Sequence, residues 1–252
     1  MSGPAAIRVG IGGWVFPPWR GAFYPRGLPQ AKELGHASRQ VTAIEINGTF
    51  YGRQKPESFR RWHDETPDDF VFSVKGPRFV THRRELATAG PSIELFMASG
   101  IFELRGKLGP ILWQFAPFLR FDETGFDDFL ALLPHEIEGR PLRHVVEVRH
   151  SSFAAPAFAA LLQRHRVAVA LVDDEKYPAL DAVTADFVYA RLRRSSLDEP
   201  AGYPPQALDA WAGRARGWAE AGLDSFVYFI DGAKIRAPAA AGALLERLAA
   251  AD

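Results

Sequence analysis

The sequence predicts an α/β protein: a closed parallel (β/α)8 barrel, a TIM barrel, formed as a single domain over residues 1–252. Three observations carry that expectation. Eight short runs rich in β-branched and aromatic residues recur along the chain, and segments with apolar residues three and four apart lie between them. No long linker or low-complexity stretch interrupts the alternation. Alternating strands and helices imply a parallel sheet with right-handed crossovers. Eight such units in 252 residues suit a closed ring. A doubly wound open sheet is the alternative. It would leave two edge strands, and none of the eight runs carries the charges or prolines that blunt an edge.

The first strand is expected at IRVGIGG (7–13). Its glycines, Gly10, Gly12 and Gly13, lack the G-x-G-x-x-G spacing, which disfavours dinucleotide binding. The loop GWVFPPWRGAFYPRG (13–27) follows, dense in aromatic residues. TAIEIN (42–47) is the second strand, and PESFRRWHDE after it places Phe59 and Trp62 on one helical face. FVFSVKG (70–76) and PILWQF (110–115) are the third and fourth strands. ETGFDDFLALL then sets Phe126, Phe129, Leu130 and Leu133 in one stripe. HVVEVRH (144–150) and the helix APAFAALLQRH precede VAVALVDD (167–174). The next link, EKYPALDAV, gives the weakest helical pattern of the chain. FVYARLR (187–193), the helix PPQALDAWAGRARGWAEAG, SFVYFID (225–231) and the helix AGALLERLAAA complete the series.

Composition narrows function. Thirty basic and thirty acidic residues cancel, so no whole-surface field draws the chain to nucleic acid or to an anionic membrane. The absence of cysteine excludes disulfides, thiolate nucleophiles and Cys-ligated zinc. MSGPAAIRVG has no charged start followed by an apolar core, and no uncharged run is long enough for a bilayer. The expectation is a cytoplasmic protein with no membrane partner.

In a barrel, alternate strand residues point inward, and enzyme sites form at the C-terminal strand ends. Polar residues stand there on seven strands: Glu45 and Asn47, Lys75, Gln114, Glu147 and Arg149, Asp173, Arg191, and Asp231. His82 and His150 lie just beyond two of them. Glu45 and Glu147 are expected to supply acid–base function, and Lys75, one of six lysines, to act as a nucleophile, a base or a neutralising cation. Arg149, Arg191 and Lys75 would hold an anion, with Asp173 and Asn47 orienting groups and Trp14 and Tyr24 stacking on the ligand. Further arginines collect at the same end: Arg78, Arg83, Arg84, Arg193 and Arg194. No cofactor is predicted. A divalent metal on His82, His150, Glu45, Glu147 and Asp173 is a lesser alternative, without an H-x-x-x-H or H-E-x-x-H pair to support it.

Several blocks together are distinctive: GGWVFPPWRGAFYPRGLPQ, EINGTFYGRQKPESFRRWHDETPDDFVFSVKGPRFVTH, KLGPILWQFAP and EVRHSSF. They resemble the YecE-like family, domain of unknown function 72, in order and over nearly the whole chain. The resemblance implies a TIM barrel without an assigned activity. By fold analogy it is similar to the endonuclease IV and xylose isomerase group, implying metal-dependent phosphodiester or sugar chemistry. The family's polar barrel-end positions match at Glu45, Asn47, Tyr51, Lys75, His82, Gln114, Glu147, Arg149, His150, Asp173 and Arg191. Two places depart. Arg193 and Arg194 stand where R-x-H-G is common, and Asp231, Pro238 and Ala239 replace the amides of an FNN…N-A pattern. Those changes imply altered specificity or lost activity.

The leading expectation is therefore an enzyme whose barrel mouth takes a small anionic ligand, phosphorylated or sugar-like. Nucleic-acid binding or processing through the same mouth is one alternative, disfavoured by neutral net charge. A non-catalytic binding module, its charges paired internally, is another. The sequence sets neither the reaction class nor the oligomeric state.

Overall fold

The computed structural model describes residues 5–250. Eight parallel strands close into one ring in chain order, with β8 returning to β1. They are β1 (Ile7–Gly12), β2 (Ala43–Ile46), β3 (Val71–Lys75), β4 (Leu108–Gln114), β5 (His144–Glu147), β6 (Ala168–Asp173), β7 (Phe187–Leu192) and β8 (Asp224–Phe229). The principal helices outside them are α1 (Glu33–Ala37), α2 (Pro56–Glu65), α3 (Gly90–Met97), α4 (Glu123–Ala131), α5 (Pro156–Arg164), α6 (Pro205–Glu220) and α7 (Ala237–Ala249).

Local chemistry sets these boundaries. α2, α5 and α6 each start on a proline, whose fixed φ suits the first helical turn and whose missing N–H would be unpaired there. Asp122 caps α4, its Oδ2 accepting from the Gly125 N–H at 3.1 Å. Gly222, at φ +79°, ends α6 in the left-handed conformation.

Period-two alternation sorts the strand residues into two apolar layers. Ala43, Leu112, Val145, Ala170, Phe187 and Phe226 fill the barrel interior. Ile11, Ile44, Val74, Trp113, Val146 and Leu171 pack outward under the helices. Each such large side chain, removed from water, stabilises the fold by roughly 1.5–3 kcal/mol. Gly10 has no alternative: a Cβ there would lie 2.1 Å from the Ala43 carbonyl oxygen and 3.0 Å from the Tyr228 ring. The room is used by Tyr228, whose hydroxyl lies 2.7 Å from Ser73 Oγ across the barrel.

The structure departs from the sequence expectation in three places. Residues 174–186 form no helix, so β6 and β7 are joined by an irregular segment; Pro178 lies within it and removes a helical donor. α3, and a small antiparallel ribbon pairing Glu136–Ile137 with Arg140–Pro141, carry no periodic signal strong enough to foretell them. β5 and β8 end before Arg149, His150 and Asp231, which therefore belong to loops at the barrel mouth.

Candidate functional site at the barrel mouth

The charged residues at the strand ends form two storeys. In the lower one, Arg191 on β7 lies between Glu45 on β2 and Glu147 on β5, all three buried. Its Nε donates to Glu45 Oε2 at 3.0 Å and its Nη2 to Glu45 Oε1 at 2.9 Å, while Nη1 donates to Glu147 Oε2. Tyr189 adds its hydroxyl to Glu45 Oε2 at 2.7 Å. Glu147 Oε1 accepts from Gln114 Nε2 at 2.8 Å and from Arg149 Nε at 2.9 Å. Every oxygen of the two carboxylates is thereby satisfied, which is the condition for burying such charges.

That arrangement corrects the expected acid–base role. Burial alone would raise the Glu147 carboxyl, but the guanidiniums of Arg191 and Arg149 outweigh it and hold the group at about 2. Burial opposes the charge on Arg191 as well, yet Glu147 and Glu45 keep it protonated. Glu147 is thus a permanently ionised anchor, with neither a free lone pair facing solvent nor a proton to give near neutral pH. Glu45, fully enclosed and bonded to Arg191 and Tyr189, is equally remote from any ligand.

Above this floor opens a cavity of about 400 Å³, lined by Asn47, Tyr51, Lys75, His82, Gln114, Arg149, Arg191 and Asp231 among the expected residues. Lys75 is only 6% exposed, its Nζ 3.9 Å from the centroid of the Phe50 ring. Among the described residues its ammonium forms no hydrogen bond and no ion pair. Burial, and then Arg191, push it down to about 8 against the pull of Glu45 and Glu147. His82 packs edge-on against Phe50 and is lowered by desolvation and by Arg149, Lys75 and Arg78, which favours neutral imidazole. Arg149 and Arg193 both stack on Tyr177, at 4.6 and 5.3 Å from the ring centroid. Arg193 pairs with Asp231 through Nη2 at 2.7 Å and with Asp174 through Nη1 at 2.9 Å. Asn47 holds its position by donating Nδ2 to the Glu45 carbonyl at 3.3 Å.

Of the candidate catalytic and ligand-contacting residues, four join neither the floor nor the cavity. Asp173 has outward parity, since Ala168, Ala170 and Val172 are the β6 residues facing the interior. Its carboxylate instead accepts from the Tyr203 hydroxyl at 3.2 Å. His150 caps the short 3-10 turn Ser151–Phe153, its Nδ1 accepting from the Ser152 N–H at 3.1 Å. Tyr24 is buried and donates to the Trp14 carbonyl at 2.5 Å, and Trp14 packs edge-on against Trp62 and Phe72. These aromatic residues brace the first loop rather than offering faces to a ligand. Arg83, expected at the mouth, is spent on the Phe79 and Thr88 carbonyls and on Ser92.

Phe50, Tyr177 and Lys234 line or brace the cavity without having stood out in the sequence. The aromatic pair could have been sought as platforms beside cationic strand ends. Lys234, lying over Phe16 at 4.9 Å, gave no signal of its own.

A divalent metal does not suit this donor set. Among the described residues no three His, Asp or Glu side chains converge. The two carboxylates of the floor are already engaged by Arg191 and that of Asp231 by Arg193, and the added charge would face Lys75 and Arg149. Two surface clefts of comparable volume, about 470 Å³ beside α3 and about 490 Å³ beside α1, receive no side chain from the strand ends.

Fold and site together define a TIM-barrel protein with an enclosed ionic floor and an open, cation-lined mouth. The chain belongs to the family described as "Protein of unknown function DUF72", whose model matches residues 8–252. It is 28% identical over 151 residues to the UPF0759 protein YecE of Escherichia coli K12, covering 59% of this chain and 50% of that protein. To UPF0759 protein YunF of Bacillus subtilis it is 26% identical over 157 residues, covering 60% and 54%. The chain thus spans about half the length of the curated relatives it matches. Among solved structures, a DUF72 family protein from Thermotoga maritima (TM1631) superposes with a TM-score of 0.76 at 23% identity, covering 98% of this chain and all of that one. A DUF72 family protein from Enterococcus faecalis (EF0366) gives 0.74 at 16%, covering 96% and 95%. These likenesses fix the barrel fold. No helix of the described residues is long and apolar enough to cross a membrane.

Proposed function

We propose that the mouth binds a small organic anion and that Lys75 is the group through which chemistry on it proceeds. The observation that carries this reading is the contrast between the two storeys. Below, every carboxylate oxygen is matched by a donor; above, Lys75 faces the cavity with no acceptor of its own. Arg149 spends Nε on Glu147 and directs the rest of its guanidinium toward the same space. A cavity in which cations outnumber the one carboxylate of the lining, Asp231, over low-dielectric walls concentrates negative charge, and guanidinium forks suit carboxylate or phosphate oxygens. Asn47 and Gln114 supply further polar contacts, and the Tyr51 ring, 75% exposed, forms part of the rim. A binding module with every charge paired internally describes the floor alone. A role in metal-assisted nucleic-acid processing finds no cluster of three His, Asp or Glu side chains among the described residues to support it.

Calorimetric titration with inorganic phosphate and with pyruvate tests this. Saturable binding is expected, weakened at least tenfold in Lys75→Met and in Arg149→Met and reduced by added salt. Absence of binding for both probes at low ionic strength would remove the proposal.

A further inference from the structure

Resting on that reading, we infer that the site takes a small oxo-acid, a carboxylate that also carries an aldehyde or ketone, and captures its carbonyl as an imine on Lys75. Geometry gives the first support. The amine stands at the inner end of a 400 Å³ cavity on a rigid strand, with the flat face of Phe50 against it and no hydrogen bond consuming its lone pair on deprotonation. An amine is a nucleophile only when neutral. A group titrating at about 8 exposes neutral amine at pH 7 in roughly a two-hundredfold larger fraction than an ordinary lysine near 10.4.

Charge points to one carboxylate. The floor of Arg191 and Arg149 against Glu45 and Glu147 is neutral. Above it the ammonium form of Lys75, with Arg193 and Lys234, faces Asp174 and Asp231, so the site as it meets a ligand carries a single positive charge in excess, a charge that a protonated imine would retain. A monoanion cancels it.

In the step itself, the Nζ lone pair forms the new C–N bond as the carbonyl π pair moves to oxygen. The two amine hydrogens pass to that oxygen, which departs as water while C=N forms, so no oxidant or reductant is consumed. Neutral His82 in the lining is placed to relay a proton between nitrogen and oxygen.

The experiment is reductive trapping on the whole chain: glyoxylate, pyruvate or dihydroxyacetone phosphate is added with borohydride, and the protein is analysed by intact mass and peptide mapping. With only six lysines, each site is separately readable. The expected result is a single adduct at Lys75, stronger by tenfold or more with the oxo-acids than with the phosphorylated ketone. Inorganic phosphate should suppress it, and Lys75→Arg should lack it. Mapping on the unaltered chain keeps the test valid should that variant misfold. Adducts at Lys234, or spread over surface lysines, would overturn the inference. Calorimetric binding of pyruvate with no adduct would overturn it too, leaving the anion site standing. Neither binding nor adduct would end both.

Discussion

The hydroxyl of Tyr189 on β7 donates to Glu45 Oε2 on β2 at 2.7 Å, joining two strands that are not neighbours in the ring. Among the described residues it is the one uncharged donor to the Glu45 carboxylate. It gives Glu45 Oε2 a second donor beside Arg191 Nε, while the same guanidinium reaches Glu147 through Nη1. The ionic floor is therefore built from four strands, β2, β4, β5 and β7, and stiffens the barrel where the cavity begins.

Tyr189→Phe should lower unfolding free energy by about 1.5–3 kcal/mol, the range for a hydrogen bond to a charged partner. Urea denaturation measures it. Phosphate affinity should stay within about twofold of the unaltered protein, because Tyr189 is not part of the cavity lining.

Acid should destabilise the fold well before the carboxylates titrate. His144 is buried, accepting from Trp113 Nε1 on Nδ1 at 3.1 Å, with Nε2 held 2.7 Å from the Pro134 carbonyl. Burial pushes it from 6.5 down to about 4. Between those values the unfolded chain takes up a proton that the folded one refuses, so stability is full above pH 6.5 and falls as pH drops towards 4. The loss reaches about 3 kcal/mol at most from a shift of that size. Urea midpoints across this range should show a slope that His144→Gln flattens; His82 and His135, lowered in the same direction, leave a residual slope in the variant.

Asp231→Asn should tighten phosphate binding several-fold by calorimetry, since the carboxylate now facing Arg193 at 2.7 Å becomes neutral. Asp231 sits at φ +65°, a conformation asparagine adopts readily. The pair is more than half exposed on the aspartate side, so stability should move by less than about 1 kcal/mol.

The barrel could be read from the sequence because eight strands and most of the helices repeat two clean periodicities. The irregular 174–186 link already had the weakest pattern. The site was readable only to the extent that pleat parity is. Parity placed Glu45, Lys75, Glu147 and Arg191 on the inner face, where they meet. For Asp173 the polar strand end was the only cue, although Val172 beside it takes the inward position. Roles were harder than positions. Whether Glu147 can exchange a proton depends on two guanidiniums, one from another strand and one from its own loop, and no local pattern encodes that meeting. Trp14 and Tyr24 failed as ligand contacts because aromatic richness looks the same in a binding face and in a braced loop.

Tyr177, the ring shared by Arg149 and Arg193, is carried by the stretch of chain that lacks a helix of its own. Excursions of that stretch can misalign both guanidiniums while the eight strands stay intact. For the proposed anion site, occupancy and local order are consequently linked in both directions: an anion settling on the two arginines would steady the segment, and a change that loosens the segment would be felt as weaker capture.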